Sequence, residues 1–210
     1  MLLAIDTCGS IGTLALGRLE GGQILVLREA ELAGKTYSAM LTPRIRELLN
    51  SHDLGLQELH AIIAVNGPGS FTGVRVGLST VKGLVEALDI PVISVSRLAV
   101  LAQKANCQYA ALDAGRGEFY FGEYGETPHE GLFSIDEIRA AYSERELAIC
   151  EEKVALAFPE ARMITTPTAA DALHFALPRL LKRDFDDPVL LDGNYLRRAD
   201  AEVKMGALKA

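Results

Sequence analysis

The chain has 210 residues, of which 49% are hydrophobic, and its 21 basic and 28 acidic residues give a formal net charge of −7. The apolar fraction excludes a chain that is disordered throughout, and the acidic balance argues against a protein that binds nucleic acid by itself, because such proteins carry a basic excess. With three widely spaced cysteines, no apolar run near the roughly 18 residues of a membrane span and no signal peptide, we expect a cytoplasmic protein with reduced thiols.

The opening segment predicts an antiparallel β-meander. Three short apolar segments fit strands: 2–7, 13–17 and 23–29. Gly21-Gly22 lies between the last two segments and is a typical hairpin signal. A helix is predicted over 37–50, where apolar residues recur at helical spacing. Pro43 lies inside that helix and predicts a kink or a restart, because proline lacks the backbone donor.

Strands and helices then alternate. We expect strands over 61–65 and 91–96, and helices over 74–88 and from the residue after Ser96 to about 104. Ser96 has the side chain of a helix N-cap. This alternation predicts parallel strands, because a helix that connects two strands returns the chain to the same edge of the sheet.

The second half begins like the first. An apolar segment at 109–113 ends in Asp113, a turn follows, and residues 118–124 alternate as a strand does. Asp6 ends the first strand in the same way. Each half thus opens with a strand, an aspartate, a turn and a second strand, which indicates an internal duplication.

The rest of the second half gives weaker signals. Ser134 fits the N-cap of a helix, residues 148–150 fit a strand, and 168–182 form the best helix candidate. The sequence therefore predicts an N-terminal lobe at 1–106 and a C-terminal lobe at 107–210, and the tail could pack back on the first lobe.

Residue types for hydrolytic or metal chemistry do not come together in this sequence. None of the four histidines forms the i, i+4 pair of a helical zinc site. Ser79 and Lys82 have the spacing of an acyl-enzyme motif, but its companion motifs are missing. The Gly-rich loop at 66–73 either binds an anion at the next helix N-terminus or makes a tight turn capped by Thr72. We therefore expect no catalytic and no metal-binding residues.

The helix at 74–88 is apolar on two faces, one with large aliphatic residues and one with mostly small residues. One face packs on the sheet. The other is covered either by this chain, in ordinary core packing, or by a partner that also meets the helix at 37–50. With a second copy, such a contact would close by two-fold symmetry. The candidate interface residues are Tyr37, Met40, Leu41, Arg44, Leu48, Gly73, Val74, Gly77, Leu78, Val81 and Leu84.

The run from Asn66 to Gly77, with Gly-Pro-Gly-Ser-Phe-Thr-Gly-Val-Arg inside it, resembles the signature of the TsaB (YeaZ) family. Four further segments are similar to that family: 3–7, 91–96, 113–120 and 194–197. The resemblance covers nearly all of 1–125 and the tail. It implies an α/β protein with the actin-like ATPase (ASKHA, ribonuclease H-like) fold, in which two lobes each hold a mixed sheet flanked by helices.

The resemblance also implies a function. Members of the family pair with the catalytic subunit TsaD through two helices of the first lobe, and the ATPase TsaE joins that pair. The complex forms threonylcarbamoyladenosine on tRNA, at the adenosine next to the anticodon. For this chain we expect a non-catalytic partner subunit, a homodimer when alone, contact with tRNA only through the complex, and no cofactor unless ATP or ADP binds in the complex.

Some residues depart from the family pattern. Tyr37 stands where many members have a histidine, Gly115 stands where arginine is common, and a late Gly-Gly adenine motif is missing. The residues Asp6, Thr7, Asp113 and Gly115 would then be a vestigial phosphate loop. The alternative is an autonomous ATPase or kinase relative of the same fold, which would use Asp6 and the two turns around a phosphate. The peptidase label of older descriptions finds no supporting residues.

Overall fold

The computed structural model describes residues 1–33, 36–142 and 146–197. The first of its two sheets has five strands: β1 (Leu2–Asp6), β2 (Ile11–Glu20), β3 (Gln23–Ala33), β4 (Ala61–Val65) and β5 (Val92–Val95). Three helices belong to the same part of the chain: α1 (Tyr37–Asn50), α2 (Phe71–Leu88) and α3 (Arg97–Ala105). The strand order is β3-β2-β1-β4-β5, in which β1 pairs antiparallel to β2 and parallel to β4.

The second sheet also has five strands: β6 (Tyr109–Gly115), β7 (Glu118–Glu123), β8 (His129–Ser134), β9 (Leu147–Ile149) and β10 (Arg162–Met163). The remaining helices are α4 (Ile135–Ala141), α5 (Glu152–Ala157) and α6 (Ala169–Lys182). The strand order is β10-β9-β6-β7-β8, in which β6 pairs antiparallel to β7 and parallel to β9.

The two sheets repeat one topology. Each begins with an antiparallel meander of three strands and adds two parallel strands beside the first of them. The turns after β1 and β6 repeat in detail as well, because Asp6 Oδ1 accepts the N–H of Cys8 and Asp113 Oδ1 accepts the N–H of Gly115, both at 2.8 Å. The duplication and the two-sheet α/β fold predicted from the sequence are confirmed.

The last helix, α6, packs on the first sheet. Leu173 is fully buried in the same core as Leu3 and Ile63, on strands β1 and β4. The backbone N–H of Ala169, at the start of α6, donates to Thr13 Oγ1 at 2.8 Å. The first sheet is therefore covered partly by a helix from the end of the described chain, and the division at residue 106 stays a prediction.

Several element boundaries correct the expectations. Helix α1 runs without interruption through Pro43, so the predicted restart is wrong. Helix α2 begins at Phe71, because Ser70, and not Thr72, is the N-cap and accepts the N–H of Gly73 at 3.2 Å. The sequence did not predict β8, α5 or β10. The predicted tail beyond residue 197 lies outside the described residues.

Candidate functional site

A cleft of about 740 Å³ lies between the two repeated turns. It is lined from the first sheet by residues 8–10, Ala33, Gly69, Ser70 and Arg97, and from the second by residues 112–115, Tyr120 and Glu151. The strands β1, β4 and β5 end at this edge of the first sheet, and β6 ends at it from the second. The duplication therefore brings its two aspartate turns to one site.

The first turn contains a buried ion pair. Asp6 is 3% exposed and Arg97, the first residue of α3, is 6% exposed, with Arg97 Nε 3.7 Å from Asp6 Oδ2. Burial is the largest single influence and lowers the pKa of Arg97, but Asp6, together with smaller contributions from Cys8, Cys150 and Glu151, raises that pKa on balance. The guanidinium of Arg97 therefore stays charged, and the predicted loop aspartate Asp6 faces a cation of its own chain.

The second turn is more open. Asp113 lies 3.6 Å from Lys153 Nζ, and its backbone N–H donates to Glu151 Oε2 at 2.6 Å. Gly115 has φ +73°, a conformation that favours glycine because it has no Cβ. Of the four predicted phosphate-loop residues, Asp113 and Gly115 line the cleft, whereas Asp6 and Thr7 do not.

Thr7 is held by α2. Its hydroxyl donates to the carbonyl of Gly73 at 2.7 Å. A Cβ placed on Gly73 would overlap the carbonyl oxygen of Thr7, and a Cβ on Gly77 would overlap Thr7 Oγ1. The small residues of α2 therefore let the helix approach the first turn of its own chain, so the prediction that Gly77 faces a partner is wrong.

Most of the predicted interface residues pack inside this chain. Eight of the eleven are buried: Tyr37, Leu41, Leu48, Gly73, Val74, Gly77, Leu78 and Val81. The six that carry side chains join the core beneath α1 and α2, and the two glycines lie against Thr7. They fill the space between helices and sheet, which corrects their assignment to a surface. Only Met40, Arg44 and Leu84 keep accessible side chains.

One accessible and partly apolar stretch of this helix pair is called the outer flank. We define the outer flank as Met40, Arg44, Val76, Thr80, Gly83 and Leu84. Met40 is 45% exposed, and Val76, Thr80 and Leu84 follow one another at intervals of four residues along α2. A Cβ on Gly83 would meet no atom within 4 Å. The flank is thus partly apolar, with open space above Gly83.

A second cavity, of about 410 Å³, adjoins the cleft beside Gly69 and Gly115. Arg75 lies 3.8 Å above the ring of Phe71, whose centroid is 5.1 Å from that of Tyr195. The segment around Tyr195 thus touches the start of α2.

Sequence reasoning missed the role of Arg97. The sequence signal for this role is the position of Arg97 directly after the predicted cap Ser96, at the carboxyl end of β5. Asp6 ends β1 at the same edge of the sheet.

In the ranges 1–33, 36–142 and 146–197, no group of three or more His, Cys, Asp or Glu side chains could hold a metal ion. None of the helices in those ranges is both long enough and apolar enough to cross a membrane.

Comparison with known proteins gives one consistent family. The model of the TsaD family, tRNA N6-adenosine threonylcarbamoyltransferase, matches residues 29–185. The tRNA threonylcarbamoyladenosine biosynthesis protein TsaB of Haemophilus influenzae is 39% identical over 128 residues, which are 58% of this chain and 52% of that protein. The protein of the same name from Escherichia coli is 32% identical over 145 residues, 66% of this chain and 61% of that protein. The match thus spans between 52% and 61% of the length of these relatives.

Solved structures agree with the sequence relatives. An uncharacterized protein with similarity to peptidase YEAZ from Pseudomonas aeruginosa superposes with a TM-score of 0.76 at 27% identity, over 93% of this chain and 99% of that one. YeaZ from Pseudomonas aeruginosa gives a TM-score of 0.73 at 27% identity, over 91% of this chain and 98% of that one. The chain therefore belongs to the TsaD family, has its actin-like, ribonuclease H-like fold, and within that family is a relative of the TsaB (YeaZ) proteins.

Proposed function

We propose that this chain is a non-catalytic subunit that binds and supports a TsaD-type catalytic subunit in forming threonylcarbamoyladenosine on tRNA, at the adenosine next to the anticodon. The names of its sequence relatives support a role of this chain in threonylcarbamoyladenosine biosynthesis. The observation that carries the binding role is the outer flank, which presents partly exposed apolar side chains on two helices whose inner faces are already packed on the sheet.

The contacts of the first turn support a role in binding over one in catalysis. The carboxylate of Asp6 faces Arg97, and the hydroxyl of Thr7 donates to the carbonyl of Gly73. Both polar groups that an ATPase or kinase relative would use at this turn are therefore engaged within the chain. We expect the isolated chain not to hydrolyse ATP, and a turnover that survives repurification and is lost in Asp6→Asn would favour the alternative of an autonomous ATPase or kinase.

The same flank accounts for the proposed partners. A TsaD-type subunit that repeats this αβ unit would present an equivalent helix pair, so the two pairs can meet around a two-fold or pseudo-two-fold axis. The same geometry lets two copies of this chain pair when the partner is absent. A TsaE-type ATPase would join the resulting complex, ATP or ADP would enter only there, and tRNA would be reached through the complex, since the chain alone carries a net charge of −7.

The test uses one position of the flank. Gly83→Arg places a long charged side chain where a Cβ meets nothing within 4 Å, so the fold should tolerate it. We expect binding to a TsaD-type subunit, measured by calorimetry, to weaken about tenfold or more, because the bulk separates the helix pairs. Gly83→Ala is the matched control, because it adds one methyl group at the same site and should bind as the unmodified chain does.

The melting temperature reports on the fold of the variant, and the affinity for the TsaD-type subunit reports on the interface. A Gly83→Arg protein that keeps its melting temperature and its affinity for the partner would place the interface elsewhere. The homodimer should weaken in the same variant, as read from sedimentation equilibrium.

A further inference from the structure

The guanidinium of Arg97 is buried without hydrogen bonds. Its side chain is 7% exposed, it lines the cleft, and none of its N–H groups donates a hydrogen bond within the part of the chain that the structure describes. Its one charged contact, Asp6, lies 3.7 Å from Nε, beyond hydrogen-bonding distance. On the other side, Nη2 lies so close to Gly9 that a Cβ there would be 2.8 Å away.

A buried guanidinium normally finds acceptors for its five N–H groups, since leaving them unmet costs free energy. The Nε group of Arg97 is inaccessible to solvent and has no hydrogen-bond partner in the described part of the chain. The two Nη groups have no protein acceptor among the described residues and belong to a side chain that lines the cleft, so an acceptor can reach them from the cleft. Three backbone N–H groups of the same lining also have no hydrogen-bond acceptor in the described residues: Gly9, Ser10 and Gly69. On the first sheet's side of the cleft, unpaired hydrogen-bond donors thus outnumber the free acceptors.

The charges around the cleft limit what can bind there. The carboxylates of Asp113 and Glu151 line the second sheet's side, and Lys153 lies 3.6 Å from Asp113. With Asp6, three carboxylates face two cations. A ligand of high negative charge, such as the polyphosphate of a nucleotide, would be repelled, whereas a small anion of low charge can use the local donors around Arg97.

We infer that the cleft is a binding site for one small oxyanion, a carboxylate or a singly charged phosphate, that accepts hydrogen bonds from the Nη groups of Arg97. A carboxylate or phosphate matches the planar fork of a guanidinium with two parallel hydrogen bonds. Asp6 acts as a positioning residue, because its carboxylate holds the charged guanidinium at the floor of the cleft. Ser10, at the mouth, adds a hydroxyl and an N–H.

The experiment uses the full chain and three probes at constant ionic strength: sodium acetate, sodium phosphate and ADP, each balanced with sodium chloride. Chemical shifts of the arginine Nε–H groups and of the backbone amides are followed in ¹H–¹⁵N spectra. We expect acetate or phosphate to shift the Arg97 Nε–H resonance and the amides of Gly9 and Ser10 along one saturable curve. The probe that binds more tightly identifies the ligand class as a carboxylate or a phosphate. ADP should shift none of these signals at equal concentration.

Two variants separate binding at Arg97 from a general effect of salt. Arg97→Lys keeps the charge but loses the fork, and should weaken the tighter probe about tenfold. Arg75→Gln removes one positive charge from an exposed arginine outside the cleft lining and should leave binding unchanged. If Arg97→Lys does not fold, the spectra of the unmodified chain still decide the matter. Shifts that do not saturate, that spread equally over exposed arginines, or that ADP produces more strongly would overturn the inference.

Discussion

The same substitution at two glycines of α2 should change stability in opposite directions. Gly77→Ala puts a methyl group where Thr7 Oγ1 already lies, at a position buried between helix and sheet. Gly83→Ala puts it into open space on the same helix. Both changes give α2 a better helix former, so their difference isolates the contact with Thr7.

The magnitudes follow from three effects. Alanine in a helix interior is favoured over glycine by about 1 kcal/mol. Overpacking a filled site costs about 1–3 kcal/mol, and loss of the hydrogen bond from Thr7 to Gly73 adds about 1 kcal/mol. Gly83→Ala should therefore raise the free energy of unfolding by about 1 kcal/mol, and Gly77→Ala should lower it by about 1–3 kcal/mol.

Urea unfolding followed by circular dichroism measures both values, and thermal melts should move by about 2–4 °C for each kcal/mol in a chain of this size. The double variant Thr7→Ala/Gly77→Ala supplies the internal control. Because it removes the hydroxyl that the new methyl overlaps, it should lose less stability than the sum of the single variants, by about 0.5 kcal/mol or more. Equal stability of Gly77→Ala and Gly83→Ala, or strict additivity in the double variant, would refute the inward orientation of Gly77.

Three more perturbations test the core and the buried charges. Leu173→Ala, in the centre of the α6 contact with the first sheet, should lower the free energy of unfolding by about 2–5 kcal/mol in urea titrations, because the side chain is fully buried. Asp6→Ala should cost about 3–5 kcal/mol, since it leaves the guanidinium of Arg97 buried without its counter-charge, and Asp6→Ala combined with Arg97→Met should recover part of that loss. Burial raises the pKa of the Cys150 thiol from 9.0 to about 11, so the folded state holds this proton more tightly than the unfolded state does. The stability of the unmodified chain relative to Cys150→Ala should accordingly be constant below about pH 8 and fall between pH 9 and 11, and a difference independent of pH would contradict the burial of this thiol.

Elements with a strong local signal were predictable. The residues of β1 form an apolar run that ends in a polar aspartate, and the buried residues of α1 recur at helical spacing from Tyr37 to Leu49. Both elements were therefore predicted close to their observed positions. Ser96 and Ser134 were recognised as caps because each precedes a helix of clear periodicity or a matching Glu137.

Elements without such a signal were missed for physical reasons. Most residues of β8 are half-buried, so neither face is fully covered by the core. Its residues therefore do not alternate between apolar and polar types, which is the pattern that identifies a strand in a sequence. Helix α5 spans six residues and β10 two, which are too short for a periodic pattern. In α2 the sequence does not tell whether this chain or a partner covers the face of small residues. Thr7 covers that face at Gly77, although it lies 70 residues away in the chain. The pairing of Asp6 with Arg97 was missed for the same reason, since the two residues are distant in sequence and only the sheet brings them together.

The position of α6 on the first sheet sets an order for folding during synthesis. The second sheet is built from one continuous stretch, Tyr109–Met163, and can assemble as soon as that stretch has left the ribosome. The first sheet emerges earlier, yet part of its core is supplied by Ala169–Lys182, so its apolar face stays uncovered until the second sheet has been made. Contacts of such long sequence separation form late. The half of the protein that is synthesised first is therefore completed by the helix that is synthesised last among the described elements.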